Sequence, residues 1–351
     1  MTIRCQAAMA ASQPLEPFCY DPEGLAPYDV DIAITHCGVC HSDIALLDNE
    51  WGWTVYPFVP GHEIIGTVRA VGPAVTIIAV GQRVGVGWQR SSCMECEWCR
   101  RGEETCCPNQ QKTCIGHHGG FADAIRTDSR FVFPIPDALP AAGAAPLLCA
   151  GLTVYTPLRL DARPASRVGV IGIGGLGHLA VRFARAMGCE VTAFFPSPGE
   201  EERAQRLGAH HCVNTGDSAQ MGRAAGSLDF LLSTVPVDLD WGMWLNILRP
   251  TGVLTLVGIP PGMISVPAAS LITNQKSIRG TTMKNRAMMK EMLLFAALHG
   301  IVADVEILPL SDVNEAIQRV RKYQARYRMV LETGQAVPDS ALRPERAVAL
   351  V

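Results

Sequence analysis

Four cysteines, Cys93, Cys96, Cys99 and Cys107, follow one another in a C-x2-C-x2-C-x7-C run. Thiolates this close suit the closed, all-sulfur tetrahedral shell of a structural zinc. Two other chemistries use similar runs. A disulfide cluster needs separate bridges, and adjacent C-x2-C pairs serve one shared metal better. An iron–sulfur cluster is the nearer rival, because Cys107-Pro108 imitates the end of a ferredoxin run, although the last gap here is x7. The expectation is a zinc lobe over 93–107.

A second constellation is the glycine turn Gly172-Ile173-Gly174-Gly175-Leu176-Gly177, which writes G-x-G-x-x-G. A short apolar run from Arg167 precedes it and an amphipathic pattern over Leu179–Met187 follows, the strand–turn–helix context of a dinucleotide site. Gly172 permits the tight turn, Gly174 lets backbone approach a pyrophosphate, and Gly177 lets the helix pack close to the strand. The helix start then offers amides and a positive dipole end to the phosphates. NAD sites usually carry an acid about twenty residues on. Here the second strand, Val191–Phe195, runs into Pro196 and Ser197 with no acid. Ser197 could donate to a 2′-phosphate, and Arg203 is the nearby cation. Glu200, Glu201 and Glu202 would repel that phosphate if they faced it. NADP(H) is therefore expected, with NAD(H) as the alternative.

A third set is more dispersed. Cys40, His62 and Cys149 lie in CGVCHSD, PGHEIIG and PLLCAGLTVY. Two thiolates and an imidazole would leave zinc a fourth position for water or substrate. Their separation along the chain is too large for spacing to show that they converge.

The elements that must position these groups suggest two domains, as 351 residues also do. With 48% hydrophobic residues the chain can bury a sizeable core. A net charge of -3 gives no reason to expect nucleic acid or an acidic membrane surface as partner. Met1 to Pro14 lacks the apolar core of a signal peptide, and no apolar stretch reaches bilayer length, so a reducing cytoplasm is expected. Cys5, Cys19, Cys37, Cys106, Cys114, Cys189 and Cys212 read as small packing residues.

The first half places Gly and Pro between short β-branched runs, including Val30 to Thr35, Ile64 to Val71 and Arg83 to Gly87. From Arg167 apolar strands alternate with helical patterns, which argues a doubly wound parallel sheet. Further strands are expected at Phe230–Ser233, Val253–Val257 and Ser277–Gly280. Helices over Lys284–His299 and Leu310–Lys322 then lead to a strand, Arg328–Leu331, that could rejoin the first domain. Residues 335–351 show no stable pattern and are expected to be poorly ordered.

The sequence resembles the zinc-dependent medium-chain alcohol dehydrogenases, and within them the cinnamyl-alcohol-dehydrogenase branch, most of all its bacterial NADPH-dependent aldehyde reductases. The likeness rests on CGVCHSD, DNEWG, YPFVPGHEIIG, the four-cysteine lobe, GGFAD, PLLCAGLTVY, VGVIGIGGLGHLA and ARYRMVL, from about Ile3 to Leu331. It implies an α/β protein with two units. Residues 1–152 and 284–334 would form a GroES-like β-rich catalytic domain, and 153–283 a Rossmann domain.

It also implies a catalytic zinc on Cys40, His62 and Cys149. Glu63 would lie near the metal, either exchanging with water or as a buried structural acid. Asp43 would accept the other ring N–H of His62. Ser42 would hydrogen-bond the substrate oxygen, and His41 would lie near the cofactor pyrophosphate. Trp51 and Trp88 fall where relatives line the substrate pocket. The chemistry implied is reversible reduction of aldehydes to primary alcohols by NADPH, with two zincs per chain and a homodimeric or homotetrameric assembly. Two departures stand out. Ala45 replaces a histidine that ends the proton relay in many relatives, and Glu200 stands where similar NADPH enzymes often carry lysine.

Overall fold

The computed structural model describes residues 2–334. The expectation for 335–351 lies outside the described residues. Two sheets organise the molecule. The first is a seven-stranded sheet whose central member, Asp29–Val39, pairs antiparallel with Ile64–Val71, Ala124–Asp128 and Arg328–Glu332. The strand expected at Val30 to Thr35 is longer, because its far half is paired with Arg328–Glu332 as well as with Ile64–Val71. The chain end thus does rejoin the first sheet.

The second sheet has six strands, all parallel. Arg167–Ile171 lies at its centre, flanked by Glu190–Phe195 and then His211–Asn214 on one side. On the other side come Leu228–Ser233, Leu248–Leu256 and, at the edge, Ser277–Gly280. This strand order reverses direction beside Arg167–Ile171, which opens a crevice at the carboxyl ends of the strands where dinucleotides bind in such folds. Near-continuous burial of Val168, Val170, Val191, Ala193, Leu231 and Leu232 follows from helices covering both faces.

One apolar core covers a face of the parallel sheet and continues, through the helix Ala150–Asp161, to Leu147, Leu148 and Phe133 under the first sheet. A separate core fills the β-rich unit, and a third, with Trp241 and Trp244, lies on the opposite face of the parallel sheet. The helix Arg286–His299 starts two residues later than expected, with Asn285 as its N-cap accepting from the Met288 amide. Among the described residues, no single helix is long and apolar enough to cross a membrane.

Candidate active site and metal centres

The four lobe cysteines converge. Their sulfurs lie within 4.8 Å of one another, with Cys93 to Cys99 at 3.9 Å and Cys93 to Cys107 at 3.5 Å. Ligands 2.3 Å from a tetrahedral zinc stand about 3.8 Å apart, so the spacing matches one ion. It is far longer than the disulfide bond of about 2.05 Å, and it leaves room for a single ion and not for a cluster of irons. The Cys96 amide donates to the Cys93 sulfur, and that bond, with another from Glu95, holds the Cys93 thiol down to about 6.

This lobe is tied to the segment that enters the helix Arg286–His299. Lys284 Nζ lies 2.7 Å from Glu103, and Arg286 Nε donates to Glu104 at 2.8 Å. Asn285 donates to the Gly102 carbonyl. Glu104 is almost fully buried, so its pairing with Arg286 is needed to keep that charge satisfied.

The second group forms where three strand and helix ends meet. Cys40 ends the strand Asp29–Val39 and caps the helix His41–Leu47. His62 and Glu63 immediately precede the strand Ile64–Val71. Cys149 lies at the turn between Ala145–Leu148 and the helix Ala150–Asp161. Ligand atoms of Cys40, His62, Glu63 and Cys149 lie within 4.8 Å of one another.

Asp43 organises the group from the first turn of its helix. Its carboxylate accepts from His62 Nδ1 at 2.9 Å, from the Gly61 amide at 2.9 Å and from the Cys40 amide at 2.9 Å. The bond to Nδ1 directs Nε2 towards the two thiols, and Nε2 is buried without a hydrogen-bond partner. Glu63 Oε2 is a second unpartnered buried atom in the same cluster. The adjacent Cys149 thiol holds the Cys40 thiol well below its ordinary range, and Cys40 in turn pushes Cys149 up. Orphaned imidazole nitrogen, orphaned carboxylate oxygen and two adjacent sulfurs make a donor set suited to zinc.

Gly38 explains how Glu63 fits. A Cβ there would stand 2.0 Å from Glu63 Oε2, so only glycine leaves space for the carboxylate. Arg328 Nη2 donates to Glu63 Oε1. Strand register places it there, since Met329 pairs with Val39 and so sets Arg328 beside Cys40. Burial pushes the Glu63 carboxyl up to about 7 against the opposing effect of the Arg328 charge. Nothing in the sequence reading singled out Arg328, although ARYRMVL carried part of the resemblance. The buried Cys114, read as a packing residue, also reaches His62 and lies in a group with it and Asp43.

The glycine turn follows the strand Arg167–Ile171 and opens the helix Gly177–Ala186. Gly172 has φ +83, and a Cβ on Gly177 would fall 1.8 Å from the Gly172 carbonyl. A Cβ on Gly174 would meet nothing within 4 Å, so open space lies over the turn between Ile173 and Gly175. A Cβ on Gly175 would stand 3.0 Å from Arg328 Cδ. One arginine therefore touches both the glycine turn and the group formed by Cys40, His62, Glu63 and Cys149. His178 donates from Nδ1 to the Gly174 carbonyl at 3.0 Å and stacks on Tyr327 at 4.7 Å.

Ser197 is exposed beyond the end of Glu190–Phe195, and Arg203 is half-buried on the helix Glu201–Leu207. Glu202 is paired with Arg206, whereas Arg203 has no ion-pair partner among the described residues. Trp88 meets the His62 ring edge-on at 4.8 Å, and Trp51 meets Trp88 at 6.4 Å. Ser42 is half-buried beside Cys40 and its hydroxyl has no partner among the described residues. His41 is exposed and stacks on Tyr323 at 5.7 Å.

Known proteins match this arrangement. Residues 26–137 match the alcohol dehydrogenase GroES-like domain, and residues 175–297 match the zinc-binding dehydrogenase family. The chain is 41% identical to aldehyde reductase AdhA of a Synechocystis strain, over 94% of this chain and 98% of that one. It is 41% identical to NADP-dependent alcohol dehydrogenase C 1 of Mycolicibacterium smegmatis, over 95% and 98%. Among solved structures, a cinnamyl alcohol dehydrogenase from Sorghum bicolor is 40% identical with a TM-score of 0.90, covering 95% of this chain and 98% of that one. CAD from Helicobacter pylori, complexed with NADP(H), is 30% identical with a TM-score of 0.87, covering 94% and 98%. Matched in sequence and in fold along nearly its whole length, this protein belongs to the zinc-binding medium-chain alcohol dehydrogenases, in the cinnamyl-alcohol-dehydrogenase branch.

Proposed function

We propose that the chain reduces aldehydes to primary alcohols, reversibly, with NADPH as hydride donor. The observation that carries this is the convergence of Cys40, His62, Cys149 and Glu63 around unpartnered donor atoms, linked through Arg328 to the nucleotide turn. Cys40, His62 and Cys149 would hold zinc, which when bound supplies a Lewis acid for the carbonyl.

The chain's own residues do the rest. Asp43 fixes the His62 tautomer and ring orientation. Arg328 balances Glu63 and faces the phosphate-binding turn. Ser42 holds the substrate oxygen through its free hydroxyl and delivers the proton as the alcohol forms. Ala45 is buried and cannot carry that proton outward, so solvent completes the relay. The faces of Trp88 and Trp51 suit a flat apolar or aromatic aldehyde. Cys93, Cys96, Cys99 and Cys107 hold a second zinc that fixes the lobe.

Residues 1–152 and 284–334 form the catalytic unit in this reading, and 153–283 the nucleotide unit. Ser197 and the unpaired Arg203 favour a 2′-phosphate and hence NADP(H). The glutamates from Glu200 onward favour the alternative, NAD(H). Free cysteines throughout suit a reducing cytoplasm. A homodimer, or a homotetramer built from such dimers, would form by pairing the edge strand Ser277–Gly280 with its copy, covering the exposed Ile259, Met263 and Ile272 in the segment leading to it.

The test is loss of absorbance at the reduced-nicotinamide band, with NADPH and NADH in parallel, on zinc-replete protein. Benzaldehyde, cinnamaldehyde and a straight-chain aldehyde serve as substrates. Turnover with NADPH is expected. Turnover with NADH alone would keep the chemistry and reverse the cofactor, and silence with both would overturn the activity.

A further inference from the structure

The indole series that begins at His62 continues past Trp51. Trp53 lies 5.4 Å from Trp51 and is half exposed, so it forms the outer rim. Over its ring, at 5.1 Å, lies the ammonium of Lys112. Two backbone features hold Lys112 in place. Its short strand Gln111–Lys112 pairs with Gln89–Ser91, with Lys112 opposite Gln89, the residue after Trp88. The next amide, Thr113, donates to the Trp88 carbonyl at 2.8 Å. Lys112 is half-buried, and its ammonium has no hydrogen-bond or ion-pair partner among the described residues.

An indole face attracts a cation but neutralises none of its charge. Half-buried Lys112 therefore brings an uncompensated positive charge to the outer end of the aromatic series. The series of ring contacts runs from His62 through Trp88, Trp51 and Trp53 to the Lys112 ammonium. We propose that Lys112 is a specificity-determining residue, favouring aromatic aldehydes that carry a carboxylate or similar anion at the end remote from the carbonyl. The inference rests on the aldehyde-reductase reading above, and it adds the charge class of the substrate.

The experiment measures kcat/KM for two matched pairs, benzaldehyde with 4-carboxybenzaldehyde and cinnamaldehyde with 4-carboxycinnamaldehyde. Wild type, Lys112→Met and Lys112→Arg are compared at low and high salt. In at least one pair, Lys112→Met is expected to lower kcat/KM for the carboxylated member about fivefold, the upper range for a part-exposed ion pair. The neutral partner should change less than about twofold, and Lys112→Arg should restore the preference. Raising salt should erode the preference of wild type but not of Lys112→Met. Equal losses on neutral and charged members would show that Lys112 only supports Trp53, and no change in either pair would place the ammonium out of reach. Both results overturn the inference while leaving aldehyde reduction intact. No turnover of any aldehyde would overturn the reaction itself and the inference with it.

Discussion

Arg328 donates a buried hydrogen bond to Glu63, and its aliphatic stem lies against Gly175 of the nucleotide turn. This single side chain couples the residue next to His62, a proposed zinc ligand, to the loop that would cradle pyrophosphate. The two ends are far apart in sequence and meet only because the strand Arg328–Glu332 closes onto Asp29–Val39.

Removing that cation should therefore harm both stability and cofactor use. Arg328→Met leaves the fully buried Glu63 without its hydrogen-bonded cation, and losing one partner of a buried ion pair typically costs about 3–5 kcal/mol. The expected result is a lower Tm together with a raised KM for NADPH. Glu63→Gln combined with Arg328→Met should recover much of the Tm, because neither partner is then left charged, but not the KM. Recovery of both by the double variant would show that Arg328 does not serve the cofactor. Thermal melts and initial-rate kinetics on the three variants decide it.

The two cysteine clusters should separate in their effects. Cys40→Ser removes a ligand from the open group, so turnover should fall to background while the Tm changes little and zinc content drops from two to one per chain. Asp43→Asn keeps all ligands but weakens the hold on His62, and should cost about 10–100-fold in metal affinity. Cys99→Ser instead breaks the closed shell and frees the lobe that holds Lys284, Asn285 and Arg286. Lower stability and solubility are expected there, because structural zinc binding is coupled to folding. Atomic absorption, melting curves and assays on the same preparations test all three.

Several parts of this site were legible in the residues themselves. The lobe and the glycine turn announce their chemistry through short-range spacing, and the close approach of Gly177 to the Gly172 carbonyl oxygen is the one their pattern requires. Cys40, His62 and Cys149 were reachable only through resemblance, since nothing local says that a strand end, a loop and a helix start will meet. Arg328 was not legible at all. Its role comes from sheet register and from a buried acid on another strand, and an arginine opening a strand looks like any solvated cation. The pairing of Lys112 with Trp53 was hidden for the same reason: two surface-like residues acquire meaning only when the strand Gln111–Lys112 pairs with Gln89–Ser91.

Cofactor choice should respond to two side chains on opposite sides of the balance. Arg203, beyond the strand Glu190–Phe195, has no ion-pair partner among the described residues, and a charge-assisted bond from it to a 2′-phosphate would contribute about 1.5–3 kcal/mol. Arg203→Ala should then lower kcat/KM for NADPH about 10–100-fold and leave NADH almost unchanged. Glu200→Lys removes a repulsive charge and adds an attractive one, so the NADPH-to-NADH ratio should rise. Equal effects of Arg203→Ala on both cofactors would place Arg203 away from the phosphate and leave NAD(H) the better reading.

His178 gives the fold a titration signature. It is fully buried, with Nδ1 bound to the Gly174 carbonyl and its ring stacked on Tyr327. Burial pushes its pKa down to about 3, so the folded protein keeps it neutral where an unfolded chain, with a histidine near 6.5, takes up a proton. Between those two values the unfolded state binds more protons than the native state, and stability must fall as pH falls. The contribution is intact above about pH 6.5 and declines by up to about 1.4 kcal/mol per pH unit below it. His178→Asn cannot titrate, although it retains a side-chain amide that can donate to Gly174. Its stability should be lower than wild type at pH 7, and the gap between the two should narrow steadily from pH 6 to pH 4.5. Acid-driven loss of zinc affects both proteins and cancels in that difference. Urea midpoints collected across this range would show parallel lines for the two proteins if His178 were protonated in the native state.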